Sequence, residues 1–155
     1  MRIGLISDTH GMLRGEVFSA FKGVERILHA GDIGSPSLLV ELGAVAPVLA
    51  VWGNTDGFDV RSEVGEIVDT ELAGYRVVVA HGHQLGSPKP DGLRAAYPAA
   101  DIIVYGHTHR PLVEYGPPLV VNPGAAGATR FGIPPSVAVL TLGAKPEVEL
   151  LELPQ

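Results

Sequence analysis

Residues 3–56 read IGLISDTHGMLRGEVFSAFKGVERILHAGDIGSPSLLVELGAVAPVLAVWGNTD. Short apolar runs at 3–7, 26–30 and 47–52 alternate with two stretches of helical spacing. Val17, Phe18, Phe21 and Val24 form the apolar stripe of the first. The second opens on Ser35 as N-cap and Pro36 as first helical residue, with Leu38, Leu39, Leu42 and Val45 on its apolar face. A β-α-β-α-β order with continuously apolar strands predicts a parallel sheet covered by helices.

The second half has a different texture. Residues 66–73 and 75–80 read as a hairpin turning at Gly74. Leu93, Ala96 and Tyr97 predict a short helix after Pro90. Further strands are expected at 101–105, 112–115, 119–122, 136–142 and 147–153, with a Gly116-Pro117-Pro118 turn and a loose loop over 124–135. A second, largely antiparallel sheet is the expectation, with all of 1–155 in one domain.

Five of these runs end alike. They lead into Asp8-Thr9-His10-Gly11, Gly31-Asp32, Gly53-Asn54-Thr55-Asp56, His81-Gly82-His83 and Gly106-His107-Thr108-His109. Ligands of open α/β sheets bind beyond the carboxyl ends of the strands, so the five tips are expected to converge. Carboxylate, imidazole and amide are metal ligands of hard to intermediate character. Asp8/His10 and His107/His109 are each spaced by two, which points both members of a pair to one side of an extended segment. Asp8, His10, Asp32, Asn54, His81, His107 and His109 are too many ligands for one ordinary ion. They suit two ions sharing a carboxylate, roughly 3.5–4 Å apart, as in centres that hydrolyse esters.

Taken singly, each motif has a plainer reading. Asp8 or Asn54 alone is a turn residue, Asp32 belongs to an ordinary turn, and His81 or His107 is a satisfied buried histidine. Joint placement at five strand ends overturns those readings. His29, inside a strand, keeps the plain one: packing or a backbone hydrogen bond. His83 divides evenly between outer support and a turn. Arg14 and Arg130 are loop arginines, either solvated or available to an anion.

Composition narrows the function classes. With 155 residues, 46% hydrophobic and 18% charged, the chain excludes intrinsic disorder. Zero cysteines exclude disulfides, iron–sulfur clusters and thiol nucleophiles. A net charge of -6 argues against a broad nucleic-acid or anionic-membrane surface. No apolar run approaches the roughly 18–20 residues of a span, and no leader pattern appears, so a cytoplasmic location is expected.

The ordered set Asp8-x-His10, Gly31-Asp32, Gly53-Asn54-x-Asp56, His81 and Gly106-His107-x-His109 resembles the calcineurin-like metallophosphoesterases. The stretches Ile27-Leu28-His29-Ala30-Gly31-Asp32, His81-Gly82-His83 and Asn122-Pro123-Gly124 resemble its small bacterial and archaeal phosphodiesterase branch. The resemblance implies an α/β fold of two packed mixed sheets flanked by helices. It implies two divalent transition-metal ions, manganese foremost, with iron, cobalt, nickel or zinc also suited. Asp8, His10, Asp32 and His109 would hold the first; Asp32, Asn54, His81 and His107 the second. Asp32 would bridge, together with a hydroxide that attacks phosphorus.

The expected substrate is a small-molecule or nucleotide phosphodiester. Small members of such families often associate, so a homo-oligomer is one open assembly beside the monomer, and a non-catalytic or weakly catalytic metal-binding scaffold or protein-interaction module of the same fold is the alternative function. One departure stands out: many members carry His directly after the motif Asn, where this chain has Thr55. A threonine hydroxyl is a poor general acid near neutral pH, which favours diesters with good leaving groups. Asp56 and His83 are the candidates to deliver protons instead.

Overall fold

The computed structural model describes residues 1–154. The first half follows the expected order: β1 (Arg2–Ile6), α1 (Glu16–Ala20), β2 (Arg26–His29), α2 (Pro36–Gly43), β3 (Val48–Ala50) and α3 (Phe58–Arg61). The second half contributes β4 (Ile67–Leu72), β5 (Tyr75–Ala80), α4 (Pro90–Ala96), β6 (Ile102–Val104), β7 (Leu112–Glu114), β8 (Leu119–Asn122), β9 (Ser136–Leu142) and β10 (Pro146–Glu152). A 3₁₀ turn at His83–Leu85 precedes α4.

Two five-stranded sheets result, ordered β10-β9-β1-β2-β3 and β4-β5-β6-β8-β7. β1, β2 and β3 run parallel, as expected. β9 and β10 do not extend the second sheet: they return to flank β1, antiparallel to it and to each other. The expectation of a largely antiparallel second sheet also needs correction. β5, β6 and β8 are parallel, and only the outer strands β4 and β7 run against their neighbours. The physical reason is the crossover through α4, which carries the chain back so that β6 joins β5 in the same direction.

Strand alternation sorts the apolar side chains into three layers. Ile3, Leu5, Leu28, Val77, Val79, Ile102, Val104, Leu119 and Val121 meet between the sheets. Ile6 and Ile27 pack against Val17 and Phe21 of the α1 region and Leu38 and Leu42 of α2. Val78, Ile103 and Val120 pack against Leu93 of α4. Burying one such side chain contributes about 1.5–3 kcal/mol. The parallel strands of both sheets thereby aim their carboxyl ends at one edge. Among the described residues, no helix is long and apolar enough to cross a membrane.

Candidate metal centre

The loops after β1 and β2 are zipped together by backbone hydrogen bonds: Asp8 N–H to Gly31 O at 3.0 Å, His10 to Asp32 at 2.9 Å, and Gly11 to Ile33 at 2.8 Å. This brings the first two tips side by side. The loop after β6 is tied on by His107 N–H, which donates to Asp8 Oδ2 at 3.1 Å, and Ser7 Oγ donates to the same oxygen at 2.7 Å. Two glycines make the approach possible. A Cβ at Gly53 would collide with the Asp32 carboxylate and backbone, and one at Gly106 with Ser7 Oγ and Asp8 Oδ2.

Asp8, His10, Asp32, His107 and His109 all adopt left-handed backbone, with φ of 53°, 48°, 53°, 71° and 62°. Among the described non-glycine residues only Ala73 and Phe131 join them. Such conformations concentrate where the surrounding structure holds residues for a task.

The ligand atoms of Asp8, His10 and His109 lie within 4.8 Å of one another, as do those of Asp8, Asp32 and His81. The structure thus brings five of the seven expected ligands into two groups with Asp8 in common. Asp32 Oδ2 also reaches toward both, 3.7 Å from His10 Nε2 and 3.2 Å from His81 Nε2. Asn54 and His107 stand alongside, joined by a 3.1 Å contact between Oδ1 and Nδ1. The His107 ring lies 5.2 Å from that of His81.

The hydrogen-bond pattern sets the chemistry. His81 Nδ1 donates to Ala30 O at 2.7 Å, so in the neutral ring Nε2 is a lone pair. That lone pair faces Asp32 Oδ2 and, at 3.8 Å, Asp8 Oδ1. His109 Nε2 lies 3.3 Å from Asp8 Oδ1. Among the described residues, Asp8 Oδ1, His10 Nε2, His81 Nε2, His83 Nδ1 and His109 Nδ1 are buried without a hydrogen-bond partner. Asp8 Oδ1, His10 Nε2 and His81 Nε2, gathered without a donor between them, fit a bound cation, and the Nδ1–carbonyl bond of His81 is how metal-binding imidazoles are oriented.

Charge follows the same geometry. Burial opposes ionisation of Asp32, but the close His81 ring and its charge, with the Thr55 N–H, outweigh it and hold the carboxyl well below the ordinary range. Burial alone would lower His81, yet the close approach of its ring to Asp32 and the charges of Asp8 and Asp32 raise it. Burial lowers His10 and His107.

The remaining candidates fall outside the cluster. Asp56 carboxylate accepts Ile33, Gly34 and Gly53 N–H at 3.1, 2.9 and 2.9 Å, clamping the second and third tips together. His83 stacks between His81 and Trp52, with ring centroids 5.5 and 5.6 Å away, and its Nε2 is 3.9 Å from Glu66. His29 keeps its plain role. Gly31 N–H donates to Nδ1, Nε2 meets Thr9 Oγ1 at 3.0 Å, and burial pushes its pKa down to about 4. Arg14 is tied to Gly127 O at 2.9 Å.

Sequence reading missed three supports. Ser7 bonds Asp8 Oδ2. Asn122 donates to Gly106 O and Thr108 Oγ1 and accepts Gly124 N–H, bracing the loop of His107 and His109. The turn Arg130–Ile133 sets Phe131 6.3 Å from the His109 ring and Arg130 where its charge acts on His10. A polar residue ending a strand and an Asn before Pro-Gly were the available signals.

Comparison with known proteins gives the family and the fold. The chain is 37% identical over 163 residues to a probable metallophosphoesterase of Methanothermobacter thermautotrophicus, covering 97% of this chain and 92% of that one. The solved structure of an archaeal phosphodiesterase superposes with a TM-score of 0.81 at 28% identity, covering 99% and 100% of the two chains. Vps29 of Chaetomium thermophilum shares the fold at a TM-score of 0.81 and 18% identity, over 97% of each chain. Residues 1–145 match the calcineurin-like phosphoesterase superfamily domain, and the chain belongs to that superfamily.

Proposed function

We propose that this chain is a phosphodiesterase working with two divalent transition-metal ions, manganese foremost. Asp8, His10, Asp32 and His109 would hold one, and Asp32, Asn54, His81 and His107 the other. The observation that carries the reading is the convergence of the buried, unpartnered atoms Asp8 Oδ1, His10 Nε2 and His81 Nε2, with His109 Nε2 3.3 Å from Asp8 Oδ1. When bound, such ions supply an acidified water and neutralise charge on the phosphoryl oxygens.

The protein's own contribution is orientation. Thr55 N–H holds Asp32 Oδ1 at 3.0 Å, while Asp56 fixes the backbone on either side of it. With three N–H groups on its carboxylate, Asp56 is occupied as a clamp, which leaves His83 as the candidate proton carrier. Burial lowers the His83 pKa, so at neutral pH the ring stands unprotonated and has no proton to give. Thr55 adds no strong acid. The site therefore suits small phosphodiesters whose leaving group departs without protonation.

The test is hydrolysis of bis-p-nitrophenyl phosphate by metal-loaded and chelated protein, with metal content measured in parallel. Turnover only in the loaded form, lost together with metal content in His107→Ala, is expected. Turnover no faster than in buffer would remove the reading. In that case capture of a protein partner would favour a scaffold, the reading that the likeness to Vps29 suggests.

A further inference from the structure

A cavity of about 440 Å³ adjoins the metal centre and shares His107 with it. It lies beyond β6, between the segment leading into α4 and the segment leading into β7. Pro88, Pro90, Tyr105 and Leu112 give it an apolar lining, and Lys89 and Arg110 stand at its wall. Both cations are exposed. Arg110 uses its backbone N–H on Thr108 Oγ1, which anchors the residue and leaves its guanidinium free to turn toward the cavity.

The charge balance of this cavity is unusual for the molecule. The chain as a whole carries -6. Four other surface cavities each include at least one carboxylate: Asp101 and Glu147, Asp69 and Glu71, Glu63, or Glu147 and Glu149. The cavity beside His107 includes none. Arg76 and Arg94, elsewhere on the second sheet, are neutralised by Asp69 and Glu114. Among the described residues neither Lys89 nor Arg110 has an ion-pair partner, and an acidic protein that keeps two such cations over an apolar floor, next to the proposed metal cluster, has the makings of an anion-bearing subsite.

We propose that this cavity receives the non-scissile arm of a nucleotide-type phosphodiester. The flat apolar body of that arm lies against Pro88, Pro90 and Leu112, and a second phosphate on it sits between Lys89 and Arg110. The volume falls within the range of small-molecule sites, roughly 300–1,000 Å³. Sharing His107 places the arm's origin at the reacting phosphorus. The proposal rests on the phosphodiesterase reading and adds to it a preference for diesters that carry a further anion.

Two probes isolate the second phosphate: thymidine 5′-(p-nitrophenyl phosphate) and the same molecule with a 3′-phosphate. The 3′-phosphate is expected to raise kcat/KM about tenfold, through KM. In the Lys89→Ala/Arg110→Ala double variant this ratio should fall toward one. Lys145→Ala, at the opposite end of the strands, should keep it. Equal kcat/KM for the two probes in the wild type, or a ratio that survives the double substitution, would overturn the subsite. Calorimetry with thymidine 3′,5′-bisphosphate separates this from the parent reading. Tighter binding to the wild type than to the double variant supports the subsite even if neither probe is cleaved, and equal binding overturns it. Cleavage of neither probe removes only the phosphodiesterase assignment.

Discussion

Leu5, Leu28, Val79 and Val104 are buried between the two sheets, where apolar contact satisfies them completely. A few residues farther along the same strands the chain reaches Asp8, Asp32, His81 and His107, and the physics reverses. There the backbone turns left-handed at Asp8, Asp32 and His107, and Asp8 Oδ1 and His81 Nε2 are buried without a hydrogen-bond partner. Burying such groups works against folding, and a ligand that binds only the folded state returns that free energy. Strand bodies and strand tips are thus adjacent in sequence but opposed in purpose. One part holds the fold together, and the other is held by it.

Substitutions should separate the two regions. The largest effect is expected from His81→Ala, which removes a proposed metal ligand: turnover should fall about 10³-fold or more, since a bound cation is worth several kcal/mol of transition-state stabilisation. Its metal-free protein should unfold at a denaturant concentration no lower than the wild type. A large loss of stability would show that the cluster is part of the scaffold after all. Leu5→Ala is the converse. Urea titration should show a loss of about 2–5 kcal/mol, while metal stoichiometry stays unchanged. A lost metal site would break the distinction from the other side.

His29 sits at the boundary and is tested by pH. Its folded pKa of about 4 lies below the ordinary 6.5, so the unfolded chain binds the extra proton. Stability from this residue is present above pH 6.5 and is lost as pH falls toward 4, by about 3 kcal/mol. Urea midpoints across that window should slope accordingly, and His29→Gln should flatten the slope. The smallest effect is assigned to Gly53→Ala, which pushes on Asp32 without removing a ligand. A displacement near 1 Å costs about 10²-fold in turnover, and metal analysis should still find ions bound.

Much of this was legible before any coordinates, because apolar runs that stop at Asp or His advertise both strand and site. Residues 3–7 and 102–104 announce their burial by composition, and the tips that follow them announce their chemistry. Partner choice was not legible. Nothing local in residues 136–142 says that they pair with β1 rather than extend the second sheet, since either sheet offers an apolar face. The clamps were hidden for the same reason. Asp56 and Asn122 look like turn residues, and their tasks depend on backbone groups of Ile33 and Gly106 that only the tertiary fold brings near. The uncompensated pair Lys89 and Arg110 emerges only when residues distant in sequence are seen to share one wall.

The central position of β1 has a temporal consequence. β1 lies between β2, which follows it closely, and β9, which arrives more than a hundred residues later. The bond from His107 to Asp8 likewise spans 99 positions. A chain emerging from the ribosome N-terminus first would expose Asp8, His10 and Asp32 long before His81, His107 and His109 exist to join them. On the proposed assignment, capture of ions would therefore be a property of the finished polypeptide. Metal uptake would report that synthesis and docking of both halves are complete.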